Sequence, residues 1–338
     1  MHSVKSLRRN SIIIFLITII VIYFVLRDDL GAVVEVFSRI NIWYILAAIA
    51  LFFLSIFLRA FVNYKSINQP NKITLKEAFK HNVIIQFFNG VTPFSIGGQP
   101  MEIYMIRRHN IKVADATNIT IQNFIFYQFA LVILGAGAVI YNFTFGIFPS
   151  VPFLRNLVLI GFFINALVAV LLIIVAVNKK VTKRLADFVH RLGTKFKVIK
   201  DKEKTEEKWK IKLEEFHNGA KELNGRKALL IYGVLLNVVS LACLYLVPLF
   251  VFFSLGEYTS ITVVTSIVST AYIMVMASFI PIPGGSGGVE FAYLQFFGNF
   301  ISGPVLASSL LLWRCITYYL GMIVGAVAFN FDKKGDMK

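Results

Sequence analysis

The runs Ser11 to Leu26 and Leu229 to Phe253 contain no charged side chain, and each is long enough to cross a hydrocarbon core of about 30 Å as a helix. A chain with several such runs has no water-shielded place for them outside a membrane. Composition agrees: 57% of the residues are apolar, only 15% are charged, and mean hydropathy is +0.72. The expected fold class is therefore an all-α, polytopic membrane protein. Lys5, Arg8 and Arg9 precede the first run, as in a secretory signal. No small-residue cleavage site follows, however, and the run ends in Val25-Leu26-Arg27-Asp28-Asp29, so an uncleaved first span is expected.

Hydropathy places about six full spans, and Lys and Arg in the short loops orient them. They run from about Ser11 to Leu26, Ile42 to Phe61, Ala116 to Phe143, Phe153 to Val177, Ala228 to Phe253 and Pro304 to Phe329. Lys5, Arg8 and Arg9 put the N-terminus in the cytoplasm, and Lys333, Lys334 and Lys338 do the same for the C-terminus. A multi-pass protein of the cell membrane is expected. Asn178 to Lys227 carries sixteen Lys and Arg against eight acids, half of the net charge of +16. No nucleic-acid-binding motif accompanies this stretch, so a nucleic-acid partner is not expected. The positive-inside rule and attraction to anionic lipid account for it as a cytoplasmic loop. It is too short and too polar to bury a core of its own, and residues 1–338 are read as one membrane domain, with a surface helix over Lys202 to Glu215.

Two apolar stretches are interrupted. Val83 to Ile106 contains Asn89-Gly90, Thr92-Pro93, Gly97-Gly98 and Gln99-Pro100. Ile261 to Phe297 contains Pro281-Ile282-Pro283-Gly284-Gly285-Ser286-Gly287-Gly288. An unbroken helix through either is improbable, because each Pro removes a backbone donor and clashes with the preceding turn. Arg107, Arg108 and Lys112 follow the first stretch, so both of its ends read as cytoplasmic. By the same counting the second begins and ends outside. Pro93 through Tyr104 echoes Pro281 through Tyr293, each with a Pro/Gly stretch, a lone Glu and an aromatic-containing helix start. Two broken segments in corresponding places of two halves point to re-entrant hairpins in an inverted repeat.

Four ionisable residues lie in or near the spans: Arg59, Glu102, Glu290 and Arg314. A charge at bilayer depth usually faces a cavity or a partner. Glu290 and Arg314 are close enough in depth to pair, a purely structural reading that stays open beside a binding one. Half-helix N-termini with unpaired N–H groups suit an anionic phosphate, and glycine allows close approach of a ligand. Packing of helix on helix accounts for the scattered Gly135, Gly321 and Gly325. Cys243 and Cys315 read as small buried hydrophobes, and the five histidines as solvated. No metal-ligand spacing, Ser-centred elbow or Gly-Lys-Thr phosphate loop is present, so no catalytic residue, metal or cofactor is expected.

The segments Gly97 to Tyr104, Pro281 to Glu290 and Leu312 to Tyr319 resemble the flippase-like membrane family, the transmembrane domain of lysylphosphatidylglycerol synthases, across essentially the whole chain. The resemblance implies movement of a phospholipid or lipid-linked headgroup between leaflets: an aminoacyl-phosphatidylglycerol, a glycolipid or a polyprenyl-phosphate lipid. In full-length members a soluble domain makes the aminoacyl lipid; here the chain ends at Lys338, and no such domain is expected. Lipid-modifying transfer and a non-transporting lipid- or partner-binding module stay open as alternatives, as does a homo-oligomer.

On this reading Pro93, Gly97, Gly98, Gln99, Pro283, Gly284, Gly285, Gly287 and Gly288 shape a headgroup cavity. Glu102, Glu290 and Arg314 line it, and Arg59, Arg107 and Arg108 recruit anionic lipid at the cytoplasmic face. The opposite orientation of the hairpins has a direct test, in a chain whose Cys243 and Cys315 are replaced by Ser. A membrane-impermeant thiol reagent applied to whole cells should label Ser260→Cys and leave Lys112→Cys unlabelled.

Overall fold

The computed structural model describes residues 38–67, 73–148, 152–178 and 227–335, apart from positions 279 and 281, together with Glu35, Lys180 and Arg184. Every regular element among these residues is helical. In chain order they are α1 (Ile42–Ser66), α2 (Leu75–Gly90), α3 (Gly98–Arg107), α4 (Val113–Phe145), α5 (Pro152–Val177), α6 (Lys227–Tyr245), α7 (Val247–Ser254), α8 (Val263–Ala277), α9 (Gly288–Phe297), α10 (Gly303–Arg314) and α11 (Leu320–Gly335). Among the described residues five stretches are long and apolar enough to cross a membrane: α1, α4, the body of α5, α6 with α7, and α10 with α11. They coincide with five of the expected spans. The expected span at Ser11 to Leu26 lies outside the described residues, as does nearly all of Asn178 to Lys227 with its expected surface helix.

The outer face is apolar. Trp43 is 75% exposed, Phe143 91%, Phe163 66% and Ile323 61%. A water-soluble surface does not carry contiguous exposure of this kind, and a lipid-facing one does. The protein is a multi-pass, all-helical membrane protein.

Local rules explain where the helices start and bend. Asn41 caps α1 by accepting the Trp43 N–H at 3.1 Å, and its own N–H donates to the Ser254 carbonyl at 2.9 Å, tying the start of α1 to the end of α7. Pro248 has no N–H, and the span expected from Ala228 to Phe253 bends there into α6 and α7. At the bend the Tyr245 carbonyl accepts from Ser266 Oγ at 2.8 Å and Thr270 Oγ1 at 3.3 Å, both on α8. Side chains of a neighbouring helix thus satisfy backbone that the proline has loosened.

The two interrupted stretches are helical hairpins, α2–α3 and α8–α9, built alike. Thr74 caps α2 in a reciprocal box with Glu77, and Thr262 caps α8 in the same way with Thr265. A single 3₁₀ turn forms each tip, Pro93–Ser95 and Pro283–Gly285. The two residues after each proline are left-handed: Phe94 and Ser95 have φ of 53° and 54°, Gly284 and Gly285 65° and 63°. The first tip holds this conformation with side chains present, at a cost of about 1–2 kcal/mol per residue. The shared backbone corrects the register read from sequence. The caps are 188 positions apart (262 − 74) and the second helices 190 (288 − 98). Pro93 therefore corresponds to Pro283, not Pro281.

The two tips touch each other inside the bundle. Beneath them α11 packs along α2, and Gly321 and Gly325 permit it: a Cβ on Gly325 would sit 2.6 Å from the Val83 carbonyl oxygen and 2.9 Å from Phe87 Cβ. Between α10 and α11 the last span widens into a π turn, Cys315–Tyr319. Cys243 is buried as expected, but Cys315 is exposed, because the widened turn directs Arg314 inward and leaves its neighbour on the outer face.

Gly325→Val should lower the unfolding temperature of the detergent-solubilised protein, by the equivalent of about 1–3 kcal/mol of overpacking. Gly137→Val, where an added Cβ meets nothing within 4 Å, should leave it nearly unchanged.

Candidate functional site

A clasp built on the π turn holds the two hairpin tips together. Tyr318 donates its hydroxyl to the Gly90 carbonyl at 2.9 Å, at the end of α2. Its ring occupies the space where a Cβ on Gly284 would stand. Arg314 donates from Nη1 to the Gly284 carbonyl at 3.1 Å, and its Nη2 lies 2.7 Å from Glu290 Oε1. The other Glu290 oxygen accepts the Gly287 N–H at 2.7 Å. The guanidinium also lies 5.6 Å from the Trp313 ring and 5.3 Å from the Tyr318 ring, within cation–π range. Glu290 and Arg314 are 5% and 7% exposed. Each neutralises the other and bonds a piece of irregular backbone, while Arg314 Nε and Nη2 have no hydrogen-bond partner.

Beside the tips lies a half-open cavity of about 440 Å³. Its wall is unusually polar for the interior of a membrane helix bundle. Arg59 and Asn63 come from α1, Asn82 and Asn89 from α2, Gln99 and Glu102 from α3, Asn123, Tyr127 and Gln128 from α4, Asn165 from α5, Asn237 from α6 and Ser278 from the end of α8. Apolar groups such as Phe94, Phe124, Ile164 and Met274 fill the gaps between them. Glu102 Oε1 accepts from Asn63 Nδ2 at 3.0 Å and Asn123 Nδ2 at 2.9 Å, and Asn123 in turn accepts from Ser66 Oγ at 2.9 Å. On the opposite wall Gln128 Nε2 donates to Asn165 Oδ1 at 2.9 Å, and Asn165 Nδ2 to Ser278 Oγ at 2.6 Å. Arg59 is different. Its Nε is buried without a hydrogen-bond partner, and no carboxylate among the described residues pairs with it.

The residues singled out from sequence therefore fall into separate places. Arg59, Gly98, Gln99, Glu102 and Gly285 line the cavity. Glu290 and Arg314 do not; they pair with each other in the clasp. The two glutamates are not equivalent, because Glu102 is the fifth residue of α3 and Glu290 the third of α9. A difference of two positions rotates a side chain by about 200° around a helix, which sends one to the cavity and the other to Arg314. Arg59 was expected at the cytoplasmic face and lies in the cavity wall instead. Arg107 is exposed at the end of α3, while Arg108 joins Lys80 in ion pairs to Asp332 on α11. The histidines were expected in water, yet His81 is buried in α2, with its Nε2 3.5 Å from that of His109.

The half-helix start is also not the open anion cradle expected. Gly97 N–H donates to Thr92 Oγ1 and Gly98 N–H to Asn89 Oδ1, each at 2.9 Å. The chain caps these donors with its own side chains, and among the described cavity-lining residues the buried donor without a partner is Arg59 Nε. The carboxamides were missed because attention to ionisable groups alone passes over them. Their signal was present: Asn and Gln recurring inside apolar spans are costly in lipid unless they face a partner or a cavity.

Removing one member of a buried ion pair is strongly destabilising, by about 3–5 kcal/mol. Glu290→Gln and Arg314→Gln should each lower unfolding stability by that order, and the double variant by clearly less than the sum. Additive losses in a double-mutant cycle would contradict the clasp. Tyr318→Phe should lose about 1 kcal/mol.

Residues 11–325 match the family model described as the lysylphosphatidylglycerol synthase TM region. The chain is also similar to a UPF0104 membrane protein of Archaeoglobus fulgidus, 23% identical over 270 residues that cover 78% of this chain and 79% of that one. An uncharacterized protein of Mycoplasma genitalium is 25% identical over 272 residues, covering 73% of this chain and 67% of the relative. Both hairpins, the clasp and the whole cavity wall fall inside the matched range, and the chain belongs to the lysylphosphatidylglycerol synthase TM region family.

Proposed function

We propose that the protein translocates a phospholipid or lipid-linked headgroup between the two leaflets of the cell membrane, with both of its termini in the cytoplasm. Family membership supports a role connected with membrane lipids. The observation that carries the finer reading is the polar cavity of about 440 Å³ inside an otherwise apolar bundle, at the meeting point of two broken hairpins. A headgroup crossing hydrocarbon loses its water, and each polar group left unsatisfied costs several kcal/mol. A wall of carboxamides, one carboxylate and one guanidinium substitutes for that water, while the acyl chains stay in lipid. Broken helices meeting near the middle of a bundle are where transporters of inverted-repeat architecture hold their substrates. Basic residues in the Asn178 to Lys227 segment and at Arg107 would gather anionic lipids on the cytoplasmic side.

The test is a leaflet-specific lipid assay in proteoliposomes. Wild-type protein should exchange labelled lipid between leaflets, and Glu102→Leu and Asn165→Leu, which remove polar groups from opposite walls, should each slow exchange at least tenfold. Transport at the wild-type rate in both variants would place the headgroup path elsewhere. Absence of exchange in the folded wild-type protein, across lipids of differing headgroup, would overturn the translocation reading.

A further inference from the structure

We propose that the headgroup this cavity takes is a phosphate esterified to an uncharged polyhydroxyl group, with Arg59 as the phosphate anchor and the carboxamides as the hydroxyl-binding wall. The proposal rests on the translocation reading for its biological setting, but its chemistry is that of the cavity alone.

The balance of groups decides it. Arg59 is the one lining cation, and it has no ion-pair partner among the described residues. Its Nε is buried and unbonded. A guanidinium withdrawn from water in this way is incomplete without an anion, and its planar fork of donors suits phosphate oxygens. Among the described lining residues Glu102 is the one carboxylate, and two amide donors, from Asn63 and Asn123, converge on its Oε1. A site built for an ammonium-bearing headgroup would turn carboxylates or carbonyls toward the ligand. Here the donors point at the carboxylate, and the remaining polar wall is made of carboxamides.

Asn63, Asn82, Asn123 and Asn237 each commit one of two amide hydrogens to the protein, and what remains of a carboxamide's donors and acceptor complements a ring or chain of hydroxyls, each donor and acceptor at once. Gln99 Oε1 is buried with no donor, an acceptor left for such a hydroxyl. Tyr127 and Phe124 add aromatic faces to the same wall, against which the apolar C–H faces of a ring can pack. The backbone N–H groups of Gly97 and Gly98 are capped by Thr92 and Asn89, so the phosphate falls to Arg59. Three lipid sources present this chemistry: phosphatidylglycerol with its glycerol, a glycerophospholipid bearing a cyclic polyol, and a polyprenyl phosphate bearing a neutral sugar.

The experiment is direct binding by native mass spectrometry of the full-length, detergent-solubilised protein. Its four titrants are phosphatidylinositol, a polyprenyl-phosphate hexose, phosphatidylglycerol and lysylphosphatidylglycerol. One or more of the first three should bind at least tenfold tighter than lysylphosphatidylglycerol, and which of them does so identifies the lipid source. Arg59→Gln should weaken that binding roughly ten- to hundredfold, the scale of a charge-assisted hydrogen bond, and Arg59→Lys should restore part of it. Binding of lysylphosphatidylglycerol as tight as that of the three polyhydroxyl lipids, or tighter, would overturn the proposal. So would unchanged binding in Arg59→Gln whose size-exclusion profile and helical circular dichroism match wild type. Because binding is read without transport, the two readings fail separately. Selective binding with no exchange in proteoliposomes removes translocation and leaves the headgroup class, and exchange without headgroup selectivity does the reverse.

Discussion

A backbone that stops being helical inside hydrocarbon must find other partners for its N–H and C=O groups, and this protein does so twice. Its solution is to bring the two breaks against each other and to close them with one short piece of the last span. Tyr318 takes the Gly90 carbonyl, Arg314 takes the Gly284 carbonyl, and Glu290 takes the Gly287 N–H. Arg314 and Glu290 then neutralise one another. The π turn at Cys315–Tyr319 is part of the same solution, since π bulges commonly mark functional positions in a helix. The glycine contacts that seat α11 on α2 hold this turn at the right depth. Remove the clasp, and two stretches of irregular backbone lose their partners.

The cavity follows from that arrangement. Because α2–α3 and α8–α9 meet tip to tip, the helices around them are held apart on one side of the contact, and the space fills with side chains that would be costly in lipid. The network divides into two walls. Asn63, Glu102, Asn123 and Ser66 are bonded on one, and Gln128, Asn165 and Ser278 on the other. Arg59 stands apart, without an internal partner for its Nε. Gln99 Oε1 likewise lacks a donor, so the wall leaves one cation and one acceptor unanswered. That is why the proposed occupant carries an anion and a hydroxyl.

Much of this was legible beforehand. Spans appear in the sequence because a bilayer imposes a length and an apolar composition on each one, and both are local properties. The breaks are equally local, since proline lacks an N–H wherever it stands. The Thr74 and Thr262 caps lie in the chain next to the helices they begin. What misled was the register of the repeat. Aligning Pro93 with Pro281 put Glu102 opposite Glu290, whereas the left-handed residue pairs align Pro93 with Pro283. Two residues of difference turn the side chains to opposite faces, and two glutamates that look alike in sequence do different work.

By itself, then, the sequence determined that the chain is a helical membrane protein with two broken hairpins, because hydropathy, proline and glycine act over a few residues at a time. Only the tertiary structure decided which charges pair and which stand alone. Arg314 finds Glu290 24 positions away (314 − 290), while Arg59, in an equally apolar span, finds no carboxylate among the described residues. Tyr318 reaches Gly90 across 228 positions. Whether a buried ionisable group is a brace or a binding site depends on the partner it meets, and that is set by helix packing between distant segments rather than by its neighbours in the chain.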